Sequence, residues 1–361
     1  MNVSAQRAGE QIALILTAWG MADDLVRTTV DAMIYSDLAG IDSHGISMLM
    51  TYEEYWAQKK SNLCARPKIV RETPVTALVD AGSGFGHPAG VMGMELACKK
   101  AAAMGVSVVA VFNSHHFGPA GYYAAIAPRH GLIGMVTSST RVPDVVPTRA
   151  SAALLGTNPI AFAAPARRNR PFLLDMATST VAANKVKVYD LNRKKLPEGW
   201  VIDEHGESIR DAALAMDYIH HRDAGGVTPL GGTPLMSSHK GYGLGVMVQI
   251  LSSTLSGGSF SPIRNKTQQA SEPDNIGHFF LAIDPKVFRA EGEFEDDLDA
   301  AIDVLHATPP VNPAEPVLVA GDPEALSQEK RSRDGIPIPP TLAAKIRAVC
   351  ERCGVRYVLE D

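Results

Sequence analysis

Residues 76–113 read TALVDAGSGFGHPAGVMGMELACKKAAAMGVSVVAVFN. TALVDA (76–81) has the character of a strand. A glycine-rich turn follows, then a helix of small residues that Gly105 stops. VSVVAVF (106–112) is the continuous apolar run of a buried strand. Strand, glycine turn, helix and strand in this order invite a dinucleotide-binding fingerprint. The spacing Gly84-x-Gly86-x-x-x-Gly90 does not match it, and the second strand ends at Asn113, where an acid should hold a ribose. The stretch therefore predicts a tight structural turn within an α/β core, without an ordinary Rossmann fingerprint.

The pattern extends in both directions. Residues 5–20 and 22–38 read as helices separated by Gly20, and IDSHGISML leads into a third helix through about Lys59. A proline-containing connector, 65–74, precedes the first strand. Downstream, GPAGYYAAIAPRHG reads as a short helix, and LIGMVTSS, NPIAFAAPA and FLLDMA as strands. STVAANKVKVYD is helical, residues 205–235 are mostly loop, and SSHKGYGLGVMVQILSSTL is a strong apolar helix. HFFLAID is a strand, and from about residue 294 the chain is largely helical, with a strand EPVLVAG between helices. The alternation argues for an α/β protein with helical ends.

At 361 residues the chain is too long for one ordinary core, and its 45% hydrophobic content suits a globular protein. The formal charge of -5 is mixed along the chain. No basic block tracks a phosphate backbone, so nucleic-acid binding has no support. No apolar run reaches membrane-spanning length, and the N-terminus lacks a signal-peptide pattern, so a cytoplasmic protein is expected. Of four cysteines, Cys350 and Cys353 form a C-x-x-C in the final helix, with no second pair to complete a zinc site. They read as thiols in a reducing compartment.

Four stretches carry chemistry. Asp42-Ser43-His44-Gly45 lies between helices, where a serine beside an imidazole can orient it for proton transfer near neutral pH; a surface histidine with Asp42 or Ser43 as helix cap is the plainer alternative. NSHHFGPAGYY (113–123) puts His115 and His116 at a strand's C-terminal end, where α/β proteins bind ligands; two polar turn residues are equally compatible. Adjacent histidines diverge, and no His-Glu-x-x-His accompanies them, so no metal site is expected. In LLDMATSTVAANK (173–185), Thr178 and Ser179 read as opening a helix, with hydroxyls and free N–H groups suited to phosphate or serving as a simple cap. His239-Lys240-Gly241-Tyr242-Gly243 sets a cation at a helix start beside glycines, a better anion site than the third stretch.

DSHG, NSHHFG, LGTNP (155–159), DMATS (175–179), LPEGW (196–200) and HKGYGL (239–244) occur together in a fixed order. In this the sequence resembles the malate/L-lactate dehydrogenase family of the second type, the sulfolactate-dehydrogenase-like family, near hydroxycarboxylate dehydrogenase B. The resemblance runs from the first helix to GIPIPP (335–340). It implies a non-Rossmann α/β fold: an N-terminal helical segment (1–75), a central sheet-containing cofactor and substrate domain (76–310), and a C-terminal helical segment (311–361) packing with the N-terminal part. It also implies a homodimer, NAD or NADP as cofactor, and a small 2-oxo/2-hydroxy acid as substrate.

Carried over residue by residue, the resemblance makes His44 the proton donor with Ser43 its relay, and His116 a nicotinamide-side contact or the proton acceptor. His115 stands where many members have Asn and receives no role. Phe117, Gly118, Pro119 and Ala120 would line the cofactor. Thr157 and Asn158 would sit by nicotinamide or substrate. Asp175, Met176, Ala177, Thr178, Ser179, His239, Lys240, Asn275, Gly321, Asp322, Pro323 and Glu324 would hold the rest of the dinucleotide. Two positions depart from other members. Met48 stands where many have a carboxylate-gripping Arg, leaving Arg141 or Arg149 as substitutes beside Met48 in the substrate pocket. Lys185 stands where the piperideine-carboxylate reductases have Asp, which favours a carbonyl/alcohol pair over an imine. The competing readings are a lyase or hydratase using the same groups, and a non-catalytic dinucleotide-binding module.

Overall fold

The structure, a computed structural model, describes residues 1–360. At its centre lies a seven-stranded sheet, in the order Lys68–Glu72, Thr76–Asp80, Val106–Ser114, Ile276–Ile283, Ile133–Ser138, Ile160–Ala164 and Phe172–Met176. Thr76–Asp80 and Val106–Ser114 are parallel, joined by the helix Gly86–Met104. Every other neighbouring pair is antiparallel. The strand Ile276–Ile283 arrives from far along the chain and inserts between Val106–Ser114 and Ile133–Ser138. That insertion separates the sheet from a doubly wound parallel fold.

The glycine turn is structural, as its spacing predicts. Gly82 and Ser83 have φ of 62° and 60°, and Asp80 Oδ1 accepts the Gly82 N–H at 2.8 Å. A Cβ on Gly86 would lie 2.4 Å from the carbonyl oxygen of His115, and one on Gly93 would lie 2.6 Å from the Phe280 ring. The glycines let the helix approach the sheet and the histidine loop; real Cβ atoms do not come that close.

The ends of the chain fold together. Ser4 caps the helix Ala5–Ala18 through the Arg7 N–H, and Ala8, Ile12, Ile15 and Leu16 give it one buried face. That face packs with Met33, Leu49 and Tyr52, and with Ile346 and Val349 of the helix Pro340–Cys353, in one hydrophobic cluster. Asn2–Val3 pairs antiparallel with Ile336–Pro337.

Three local expectations are corrected. The connector 65–74 contains the strand Lys68–Glu72, exposed along its length; an edge strand needs no apolar alternation to form. The polar stretch 205–235 contains the helix Ala212–His221, capped by Asp211 and buried through Ala212, Ala215, Tyr218 and Ile219 in a third cluster. EPVLVAG forms no strand: it lies outside the sheet, and Ala320 accepts a hydrogen bond from the Leu173 N–H. Among the described residues, no helix is long and apolar enough to cross a membrane.

Candidate active site

DSHG lies between the helix Asp23–Leu38 and the short 3-10 turn Ile46–Met48. Asp37, 2% exposed, anchors it by accepting the Ile46 N–H at 2.8 Å. The anchor needs a glycine beside it, since a Cβ on Gly45 would lie 1.9 Å from Asp37 Oδ1. Burial raises the Asp37 carboxyl to about 7, against the lowering pull of the Ile46 N–H. His44 projects from this loop with Nδ1 2.7 Å from Ser43 Oγ.

The loop after Val106–Ser114 brings His116 to meet it. The two rings lie 5.2 Å apart and tilted by 32°. Both are half-buried, and neither Nε2 has a protein partner among the described residues. His44 keeps an edge toward solvent, yet protein surrounds most of its ring; this desolvation lowers its pKa to about 4. His116 is held well below the usual histidine range, first by desolvation and then by the neighbouring histidines. Two neutral imidazoles with open edges therefore face one another.

His115 turns the other way and is fully buried. It packs at Lys60 O (3.1 Å) and against Asp274 (3.5 Å), itself fully buried. Burial pushes the Asp274 carboxyl up, but the neighbouring His115, a hydrogen bond from Gln268 and the charge of Arg141 outweigh it and hold the group below the carboxylate range. Phe117 stacks on His278 at 4.3 Å and 4°, forming a buried floor beside His116. Gly118, Pro119 and Ala120 are buried with it.

The Gly121 N–H donates to Asp175 Oδ2 at 2.7 Å, tying this loop to the end of Phe172–Met176. Tyr122 packs on Tyr35 at 5.2 Å. Tyr35, Leu173, Gly321, Glu324, Arg129 and Arg170 line a cleft of about 620 Å³ beyond it. The Asp322 carboxylate already binds His306 and the Val319 N–H, and Pro323 is exposed. The loop that carries His116 is thus tied to Asp175 through Gly121, and Tyr122 after it packs on Tyr35, which lines the cleft.

Other expected contacts are engaged within the protein. Thr178 and Ser179 precede the helix, which begins at Ala183. Thr178 donates to the carbonyls of Thr157 and Asn158, and Ser179 to that of Val181. Asn158, buried at φ 36°, donates to Gly245 O. Met176, Ala177 and Thr157 are half-buried. At the start of His239–Gln249, the N–H groups of Lys240 and Gly241 already reach Ser237 O and Leu230 O, so the exposed side chains of His239 and Lys240 are what remains for an anion. Asn275, at φ 49°, accepts the Asn113 N–H and donates to Gly257 O.

Met48 packs partly buried against the N-terminal cluster. Arg141 pairs with Asp274 at 3.3 Å. Arg149 is exposed, with φ 71° and no acidic partner among the described residues; its neighbour Thr148 bonds Ser238 beside His239. No metal-binding cluster of three or more His, Cys, Asp or Glu occurs among the described residues. Sequence reasoning missed Asp37, Tyr52 and His87. Tyr52 follows His44 by eight residues and Met48 by four, a helical spacing that could have placed it on the same side.

Comparison with known proteins finds relatives over nearly the whole chain. Residues 3–347 match the malate/L-lactate dehydrogenase family. The malate dehydrogenase of Pyrococcus abyssi is 38% identical over 347 residues, covering 96% of this chain and 93% of that protein. Hydroxycarboxylate dehydrogenase B of Escherichia coli is 30% identical over 350 residues, covering 96% and 92%. The crystal structure of malate dehydrogenase from Entamoeba histolytica superposes with a TM-score of 0.92 at 32% identity, covering 99% of each chain.

Proposed function

Because the chain belongs to the malate/L-lactate dehydrogenase family, and is therefore a hydroxy-acid dehydrogenase, we propose that it interconverts a 2-oxo acid and a 2-hydroxy acid with NAD or NADP, His44 exchanging the proton. The observation that carries this reading is the meeting of His44 and His116, rings 5.2 Å apart with open Nε2 edges, beside a loop tied to Asp175. In oxidation, neutral His44 takes the hydroxyl proton at Nε2 while Nδ1–H is held by Ser43 Oγ; in reduction the imidazolium returns it.

The residues present fit a dinucleotide. The cleft beside Tyr35 joins the cation Arg129, and Arg170 paired with Glu329, to the acid Glu324 and the apolar Leu173, a set suited to phosphate, ribose and base. Glu324, Gly321, Asp175 and the His116–Ala120 loop would hold it, with His239 and Lys240 as further side-chain contacts. When bound, the nicotinamide accepts or supplies the hydride. Of the two arginines considered for the substrate carboxylate, Arg149 is the better supported, because Asp274 already neutralises Arg141. A cytoplasmic homodimer is part of the reading; Leu235 at 99% and Met236 at 60% exposure, next to His239, support an apolar contact there.

The test is nicotinamide absorbance, with NADH and then NADPH, against pyruvate, oxaloacetate, hydroxypyruvate and an aryl-pyruvate. Decay that requires both cofactor and oxo acid supports the reading. Absence of both turnover and cofactor binding refutes it.

A further inference from the structure

Tyr52, on the helix Leu49–Ala57, is fully buried, and its hydroxyl lies 2.8 Å from His116 Nδ1 and 3.3 Å from His87 Nε2. His87 is also fully buried, and its Nδ1 has no partner. A hydroxyl has one proton, so its direction can be deduced. The Gly118 N–H also points at His116 Nδ1, at 3.4 Å. A backbone N–H can only donate, so Nδ1 is the acceptor and carries no proton. Tyr52 then donates to Nδ1, and its oxygen accepts from His87 Nε2–H. This leaves His87 Nδ1 as an unpartnered lone pair rather than an unpartnered buried N–H, the less costly orphan. Burial keeps the phenol protonated and the imidazoles neutral, so each member has the state this chain of bonds requires.

We infer that Tyr52, backed by His87, is a positioning residue that holds His116 as its Nε2–H tautomer, so that His116 donates a hydrogen bond to the substrate oxygen and keeps its proton. Proton exchange is then left to His44, whose Nδ1 partner, Ser43, is a hydroxyl able to turn in either sense. The two histidines have different partners and hence different tasks: one polarises the carbonyl and the other transfers the proton. The inference rests on the dehydrogenase reading for its chemical meaning but not for its test.

The test reads the tautomer directly, without cofactor or substrate. Protein labelled with 15N in histidine gives distinct nitrogen signals for protonated and bare ring positions, and the His116→Gln spectrum assigns those of His116. The expected wild-type result is a protonated Nε2 and a bare Nδ1, and in Tyr52→Phe, where only the long 3.4 Å Gly118 contact remains at Nδ1, an exchange between tautomers. A protonated Nδ1 in the wild type, or unchanged His116 signals in Tyr52→Phe, overturns the inference. His87→Gln keeps an amide donor near the Tyr52 oxygen, whereas His87→Leu removes it. The signals should move in His87→Leu and return in His87→Gln, so the test does not depend on Tyr52→Phe folding; equal movement in both excludes His87. In turnover, Tyr52→Phe should lower kcat roughly 10- to 100-fold, less than complete loss of an oxyanion donor, with KM changed less than about threefold. Wild-type protein with neither turnover nor cofactor binding would refute the dehydrogenase reading and leave the tautomer result standing.

Discussion

Under the proposed mechanism the two directions of the reaction make opposite demands on His44, and pH separates them. Its ring is lowered to about 4 by desolvation, so it is neutral over the physiological range. Oxidation uses the neutral ring, which is nearly all of it above about pH 5. Reduction uses the imidazolium, which for a group at about 4 is about one part in a thousand at pH 7 and about one in ten at pH 5. The kcat/KM for the oxo acid should therefore fall about tenfold per pH unit, about 100-fold from pH 5 to 7, while kcat/KM for the hydroxy acid stays level. The assay is initial-rate kinetics in both directions at saturating cofactor, with a deuterated cofactor to establish that the hydride step limits the rate. His44→Gln should remove the slope and lower the rate by roughly 10²–10⁴. A reduction rate independent of pH between 5 and 7, with a full isotope effect, would show that His44 does not supply the proton.

Two further predictions concern the loop that carries His44. Gly45→Ala puts a methyl 1.9 Å from Asp37 Oδ1, so the loop must shift; a displacement of about 1 Å should cost about 10² in kcat, measurable beside an unfolding curve that establishes the fold is retained. The Asp37 carboxyl is raised to about 7, so folded protein binds its proton more tightly than unfolded protein. This contribution is complete below the unfolded value, about 4, and is lost as pH rises to about 7. Relative to wild type, Asp37→Asn should gain about 2–3 kcal/mol between pH 5 and pH 8 in urea unfolding. A difference that does not vary with pH would refute the buried-carboxyl account.

Much of the candidate site was legible along the chain because its parts are local. DSHG sits on one short loop, and the His115-His116 pair at one strand end. The α/β alternation and the structural role of the 81–90 turn followed from periodicity and glycine spacing, which are also local. Elements whose stability comes from distant partners were not legible. Ala212–His221 is a helix because its buried face meets Val186, Leu196 and Val201, residues far enough away that composition gave no signal. EPVLVAG has a strand's composition but no partner strand in the sheet.

By itself the sequence determined the residue types, their order and the absence of an ordinary dinucleotide fingerprint, because these are set by bonded neighbours. Only the tertiary structure decided which histidine faces which. His115 and His116 are adjacent in sequence, but one turns into a buried contact with Asp274 and the other toward His44. Successive side chains of an extended segment point to opposite sides, and what waits on each side is contributed by residues far along the chain, Asp274 for His115. The same holds for Tyr52 and His87: a hydroxyl and an imidazole on separate helices acquire a direction for their protons only when packing sets them 3.3 Å apart.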